Sequence, residues 1–131
     1  MRAVFDTNIL VSALMFPGGR AEETLLKIIE GKDQLILSRA ILDELLTVLS
    51  RKFSRDAEQL AHLGVFLTDI AELVQPLQTL DILADEPDNR ILECAIAGQA
   101  DSVVTGDRAM LQLGQYQQIR IISLKEYLDI T

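Results

Sequence analysis

Acidic side chains follow short β-like runs at two distant points of the chain. Asp6 follows residues 3–5, and Asp107 comes just after residues 102–105. Runs of this kind predict β-strands, and in an open parallel sheet the C-terminal ends of the strands share one edge, where ligands bind. We therefore expect Asp6 and Asp107 to meet at that edge. Because like charges repel, their meeting favours a bound cation, most simply a divalent metal ion.

Helical periodicity adds Glu44 to these two acids. At about 100° per residue, Glu44 falls about 60° from Ile41, just outside the apolar face of its predicted helix, whereas Asp43 faces solvent at about 200°. Glu44 can therefore lean into a cleft beside the core. The simpler explanation, which stays open, is a boundary glutamate on an amphipathic helix.

The same periodicity points to Asp88. Measured from Ile91, Asp88 lands near 60°, within the apolar face of its helix, whereas Glu93 lands near 200° on the opposite side. A carboxylate on a buried face is costly unless it is paired or bound to metal. Asp85 and Glu86 precede Pro87 and are expected to be solvated.

Three of the four acids also have a structural explanation as helix caps. Asp6, Asp88 and Asp107 each stand at the predicted start of a helix, where a carboxylate accepts backbone N–H groups and favours the helix dipole. Capping and metal binding can coexist. Four such acids in one chain, three of them expected at one sheet edge, favour a shared site.

Composition narrows the class of protein. The chain has 131 residues, 49% of them hydrophobic, which predicts one globular domain over residues 1–131. Its net charge of −8 argues against a broad basic face for nucleic acid. One cysteine, Cys94, and one histidine, His62, exclude an internal disulfide and a His/Cys zinc site within one chain. Oxygen ligands alone suit Mg²⁺ or Mn²⁺. No signal peptide or membrane span is predicted, so we expect a soluble cytoplasmic protein.

Strand and helix signals alternate along the chain. This alternation predicts an α/β fold, with a mainly parallel central sheet flanked by helices on both faces. The predicted strands are 2–5, 34–37, 102–105 and 119–122. The predicted helices are 8–14, 21–30, 39–51, 55–74, 88–99 and 108–113, with a last helix opened by the capping-box pair Ser123 and Glu126. Residues 77–87 are expected to form an acidic connection, and residues 51–55 hold the densest basic cluster.

These blocks together resemble the PIN-domain family over essentially the whole chain. The resemblance is carried by Asp6-Thr7-Asn8 after the first strand, a Glu in the helix at 39–51, the run 88–93 that opens a later helix, and most specifically the run 100–107. It is strongest for the small prokaryotic branch of toxin components from toxin–antitoxin pairs.

The resemblance implies a three-layer PIN-like fold and an endoribonuclease that cleaves RNA with one or two Mg²⁺ or Mn²⁺ ions. The positions that match the family's metal-binding acids are Asp6, Glu44, Asp88 and Asp107. Asn8 and Thr105 match supporting polar positions. We expect Asp6 to be the central ligand, Asp88 and Asp107 to complete the cage, and Glu44 to bind a second ion or orient the attacking water. The resemblance also implies a small antitoxin partner and permits a homodimer.

Two other functions are weighed against this one. A phosphoacceptor signalling domain would need adjacent acids after the first strand and an acceptor Asp after a middle strand. Here Thr7 and Asn8 follow Asp6, and Ser38 follows the strand at 34–37. A non-catalytic module that binds RNA or a protein on the same fold stays open.

Overall fold

One six-stranded sheet organises the computed structural model, which describes residues 1–130. The strands are β1 (Arg2–Phe5), β2 (Gln34–Ser38), β3 (Ala71–Val74), β4 (Ser102–Val104), β5 (Gln115–Tyr116) and β6 (Ile119–Ile122). Their order is β3-β2-β1-β4-β6-β5, and every neighbouring pair is parallel except β5 with β6. The predicted α/β fold with a mainly parallel central sheet is therefore confirmed.

Seven helices connect and flank these strands in the described part of the chain. They are α1 (Thr7–Met15), α2 (Arg20–Ile29), α3 (Arg39–Phe53), α4 (Ala57–Ile70), α5 (Glu86–Ala97), α6 (Arg108–Leu113) and α7 (Leu124–Asp129). Side-chain caps fix several of their starts. Ser38 Oγ accepts Ile41 N at 3.4 Å to begin α3, and the capping box of Ser123 with Glu126 begins α7 as predicted. No helix within residues 1–130 is long and apolar enough to cross a bilayer.

The core lies where β1, β2 and β4 run side by side. Their apolar side chains, including Val4, Leu35 and Val103, are fully buried, as expected for central strands covered on both faces. The chain passes from β1 to β2 on one side of β1, and β4 lies on the other side. The strand order therefore reverses at β1, and a crevice at such a point is where open α/β sheets bind ligands.

The sequence prediction was wrong where the long helix at 55–74 was expected. The structure ends α4 at Ile70 and continues as β3, which pairs in parallel with β2 along Leu35–Ser38. Glu72 on β3 also forms a bidentate pair with Arg2, with Nη2 to Oε2 at 2.7 Å. Pairing with a distant strand overrode the local helical pattern.

Glu93 also lies elsewhere than periodicity predicted. Its side chain is buried, because the connection between β3 and α5 covers that face of the helix. Glu93 Oε2 accepts Leu80 N at 2.7 Å and pairs with Arg90 Nη2 at 2.7 Å. Asn89 fixes the same connection through the amides of Ile82 and Leu83. Glu93 is therefore a structural residue rather than a solvent-facing one.

The packing of α5 against β2 gives a test of the fold. A Cβ added to Gly98, which caps α5, would lie 2.4 Å from Ile36 Cγ2, whereas one added to Gly64 within α4 would meet nothing within 4 Å. We expect Gly98→Ala to lower the free energy of unfolding by about 1–3 kcal/mol through overpacking. Gly64→Ala, the matched control, should raise it by up to about 1 kcal/mol. Urea unfolding measures both, and equal effects would contradict the predicted contact.

Candidate functional site

Asp6 and Thr105 meet at the ends of the two central strands. Asp6 N donates to the carbonyl of Val104 at 2.9 Å, which joins the ends of β1 and β4. Thr105 Oγ1 donates to Asp6 Oδ2 at 2.6 Å, and both side chains are buried. The second oxygen, Oδ1, accepts the backbone N–H of Asn8 at 3.5 Å and caps α1. Asp6 therefore caps a helix and also faces the predicted site.

Asp107 is tied to the same hydroxyl group. Its backbone N–H donates to Thr105 Oγ1 at 3.0 Å, so this oxygen accepts from Asp107 while it donates to Asp6. Asp107 Oδ2 accepts Met110 N at 2.9 Å and caps α6. Both oxygens of Asp6 and one oxygen of Asp107 thus accept hydrogen bonds within the fold. Thr105 positions the two acids relative to each other.

Asp88 is the most exceptional acid of the group. Its side chain is only 6% exposed, and its Oδ2 atom is buried with no hydrogen-bond partner in the described structure. Burial, followed by repulsion from Asp107, Asp85, Asp6 and Glu44, raises its pKa to about 7. Asp85, not Asp88, is the N-cap residue of α5. Asp88 lies in the first turn of α5, where a carboxylate favours the helix dipole, but it does not cap the helix.

Glu44 is half-buried on α3 and faces the other acids. Burial raises its pKa, and repulsion from Asp6 and Asp85 adds to the increase. The nearby Thr7 hydroxyl lowers the pKa of Glu44, although it makes no hydrogen bond of regular geometry. Asp43, the next residue back, is exposed and pairs with Arg39 at 3.0 Å. The two neighbouring acids therefore differ as helical periodicity predicted.

The four predicted acids form one electrostatic group, here called the acid cluster (Asp6, Glu44, Asp88 and Asp107). Burial raises the pKa of Asp6, and Asp107 adds to the increase against the opposing hydrogen bond from Thr105. Within residues 1–130, no member of the cluster forms an ion pair with Lys, Arg or His. The supporting residues differ: Thr105 bonds Asp6 through its side chain, whereas Asn8 does so through its backbone.

Asp85 is the acid that sequence reasoning set aside. It is exposed, as expected, yet it lies close enough to raise the pKa of both Asp88 and Glu44. The only available signal was its position three residues before Asp88, at the start of the same helix. Asp85 therefore belongs to the surroundings of the acid cluster.

The cluster has the chemistry of a site for a hard divalent cation. All its donors are carboxylate oxygens, one of which is buried without a partner, and none of them forms an ion pair with a Lys, Arg or His within residues 1–130. As the side chains stand, no three His, Cys, Asp or Glu residues of the described chain are close enough together to enclose a metal ion. Binding an ion there would therefore require the carboxylates to rotate inward.

Comparison with known proteins places the chain in a family. A family model described as PIN domain matches residues 2–109, a range that contains the whole acid cluster. The chain therefore belongs to the PIN-domain family. An uncharacterized protein of Methanocaldococcus jannaschii is 27% identical over 132 residues, which cover 95% of this chain and 84% of that protein.

Two solved structures share the fold. VapBC2 from Rickettsia felis, solved bound to a DNA fragment from their promoter, aligns with a TM-score of 0.63 at 21% identity, over 94% of this chain and 98% of that one. VapBC-1 from nontypeable Haemophilus influenzae aligns with a TM-score of 0.65 at 16% identity, over 95% of this chain and 99% of that one. The resemblance to the PIN domain expected from the sequence is confirmed.

The raised pKa of Asp88 predicts how stability depends on pH without metal. The folded protein holds a proton on Asp88 up to a pKa of about 7, whereas an unfolded aspartate releases it near pH 3.9. The free energy of unfolding should therefore fall as pH rises from about 4 to about 7. Asp88→Asn removes this contribution, and the variant should gain on the order of 1–2 kcal/mol relative to wild type across that window, after allowance for solvent screening.

Urea unfolding in EDTA at several pH values measures this difference. Asp43→Asn is the control, because that carboxylate is exposed and paired with Arg39. Parallel pH profiles for wild type and Asp88→Asn would show that Asp88 is ionised normally in the folded protein.

Proposed function

We propose that this protein is a metal-dependent endoribonuclease whose active site is the acid cluster. The observation that carries the proposal is Asp88, a buried carboxylate with an unpartnered oxygen that lies among further acids, none of which forms an ion pair within the described part of the chain. Such an arrangement is costly for a purely structural group, and perturbed carboxylates of this kind gather at functional sites. Membership of the PIN-domain family supports the same conclusion.

Each side chain of the acid cluster has its own role in holding one or two Mg²⁺ or Mn²⁺ ions. Asp6 is the central ligand, with its carboxylate oriented by the Thr105 hydroxyl at 2.6 Å. Asp88 offers its free Oδ2, and Asp107 offers the oxygen that does not cap α6. Glu44, half-buried beside them, binds a second ion or orients the attacking water. Asn8 and Thr105 support these ligands.

Divalent ions held by this cluster supply Lewis acidity, which polarises the phosphodiester, lowers the pKa of water and stabilises the leaving oxygen. The chain's one histidine, His62, lies exposed on α4. No histidine pair is therefore available within the chain for metal-free attack by the 2′-hydroxyl. Hydrolysis by water leaves a 5′-phosphate and a 3′-hydroxyl.

Three depressions of about 490, 460 and 360 Å³ are found elsewhere on the described surface, and none is bordered by a member of the acid cluster. An RNA strand can cross an open sheet edge without entering such a depression.

We also propose a small antitoxin protein as partner, and a cytoplasmic location. A chain of net charge −8 attracts a basic protein segment. The likeness in fold to VapBC2 and VapBC-1 supports a partner of that kind. A homodimer is compatible with exposed apolar side chains such as Leu73 and Leu77.

The alternative function is a non-catalytic module on the same fold that binds RNA or protein. Its support is the gap between the acids, since no three of them are placed to enclose an ion as they stand. A nuclease assay separates the two functions.

Cleavage of single-stranded RNA tests the catalytic role of the cluster. Wild type should cleave the RNA in Mg²⁺ or Mn²⁺ and should not cleave it in excess EDTA. Asp6→Asn should lower the rate at least about 100-fold, because it removes a direct ligand rather than a supporting contact. Glu44→Gln should be strongly impaired, whereas Asp43→Asn, its exposed neighbour on α3, should keep wild-type activity. Full activity in EDTA, or products with 2′,3′-cyclic phosphate ends, would refute the mechanism.

Thermal unfolding tests metal binding separately from activity. Mn²⁺ at about 100 times its dissociation constant should stabilise wild type by about 2.7 kcal/mol, which raises the melting temperature by about 5–10 °C. Asp6→Asn should lose most of this gain, and Asp43→Asn should retain it. If Asp6→Asn gained as much as wild type, Asp6 would not be a ligand.

A further inference from the structure

Unpaired cations concentrate at one place on this acidic protein. Of twelve Lys and Arg residues, five form ion pairs within residues 1–130: Arg2, Lys27, Lys32, Arg39 and Arg90. Four of the other seven lie where α1 and α3 end: Arg20, Arg51, Lys52 and Arg55. On a chain of net charge −8, this is a local excess of positive charge.

Two aromatic rings lie among these cations. Phe16, which follows α1, is 56% exposed, and its ring meets the ring of Phe53 edge-on at 6.0 Å between centroids. Phe53 directly follows Lys52 at the end of α3. Exposed aromatic rings next to cations are typical of surfaces that bind single-stranded nucleic acid.

Backbone and side-chain contacts hold the group together. Arg55 Nη2 lies 3.4 Å from Met15 Sδ, which joins the end of α3 to the end of α1. Arg20 follows a tight turn in which Gly19 N donates to the carbonyl of Phe16 at 3.2 Å. We call these residues the basic–aromatic patch; they are Phe16, Arg20, Arg51, Lys52, Phe53 and Arg55.

The neighbouring acids do not neutralise the basic–aromatic patch. Asp56 Oδ1 accepts Gln59 N at 2.9 Å to begin α4, and Glu22 Oε1 accepts Gly18 N at 3.1 Å. Neither forms an ion pair with a cation of the patch in the described structure. Arg20, Arg51 and Lys52 are exposed and therefore available to an outside anion, whereas Arg55 is half-buried with its Nε atom buried.

Helix α3 links the patch to the acid cluster. Arg51 follows Glu44 by seven residues, which is nearly two whole turns. The two side chains therefore leave the helix within about 20° of each other and about 10 Å apart along its axis. A strand whose scissile phosphate reached Glu44 would pass the patch with its adjoining nucleotides.

We propose that the basic–aromatic patch binds the single-stranded RNA that flanks the bond to be cleaved. Arg20, Arg51 and Lys52 contact its phosphates, and the exposed Phe16 ring stacks on one base. A single strand is specified because its bases are free to stack on a protein ring, whereas those of a duplex are buried in their own stack. This inference takes RNA as substrate from the proposed function and adds the surface that holds it.

RNA binding without cleavage tests the patch. The probe is a fluorescein-labelled oligouridylate of about 15 nucleotides, titrated by fluorescence anisotropy in EDTA with Asp6→Asn as the parent protein, so that the strand stays intact. Adding the paired change Arg51→Gln and Lys52→Gln should weaken binding about tenfold and reduce the slope of log affinity against log salt by about 1.4, since each phosphate contact on a single strand contributes about 0.7. Phe16→Leu should weaken binding at least about fivefold through lost stacking.

The matched control removes two other unpaired cations, by Arg120→Gln with Lys125→Gln, on β6 and α7. Its net charge equals that of the paired patch variant, and it should bind within about twofold of the parent. Equal losses of RNA affinity in both variants would show that overall charge, and not the position of the patch, determines binding, and would overturn the proposal. Thermal unfolding of every variant confirms that it is folded.

The remaining outcomes separate this proposal from the nuclease proposal. Loss of RNA binding in the patch variant, together with no cleavage by wild type, would support the patch and contradict the nuclease. Undiminished binding in the patch variant would overturn the patch while cleavage by wild type still stood. Binding of a polyglutamate peptide but not of RNA would assign the patch to an acidic protein partner, and so overturn it.

Discussion

Repulsion among buried carboxylates is the constraint on which the rest of this structure depends. Asp88 is 6% exposed with an unpartnered oxygen, and burial, followed by repulsion from the other acids near it, raises its pKa to about 7. The fold must therefore hold these groups together against their charge. It does so with neutral contacts, chiefly the Thr105 hydroxyl, which donates to Asp6 and accepts from the backbone of Asp107. Two helix caps, from Asp6 to α1 and from Asp107 to α6, add to this hold.

Strand order is what makes this hold possible. Because β1 lies between β2 and β4, residues that are 99 positions apart, Asp6 and Thr105, come within 2.6 Å. Helices α3 and α5, which pack against each other, then bring Glu44 and Asp88 towards these residues. On α5, Asn89 and Glu93 fix the covering connection through backbone amides, which keeps the first turn of the helix in place. Structural polar residues next to the site thus help to hold the acids in position.

The sequence predicted the acids better than it predicted their surroundings. Strand-end position identified Asp6 and Asp107, and helical angle separated Glu44 from Asp43, since both patterns report which way a residue points within its own element. Glu93 and β3 were mispredicted because each depends on another segment of chain: the connection that covers α5 and the edge of β2. The influence of Asp85 was missed for the same reason, because a charge acts through space whether or not it is buried. Whether the four acids bind metal stays a prediction.

An acidic protein that acts on a polyanion faces an electrostatic conflict, and the distribution of its charges resolves it. A site that attracts divalent cations necessarily repels phosphate until ions are bound. A net charge of −8 extends that repulsion over the surface. If substrate binding depended on the acid cluster alone, the bound divalent ions would have to neutralise both the carboxylate ligands and the phosphates of the RNA strand. Placing unpaired cations about two helical turns away separates the two tasks, because charges about 10 Å apart are roughly one Debye length from each other in physiological salt. The acids can then keep their affinity for cations while the flanking strand is held elsewhere. Under the proposed function, this separation gives a reason for the basic residues to lie at the far end of α3 rather than beside Glu44.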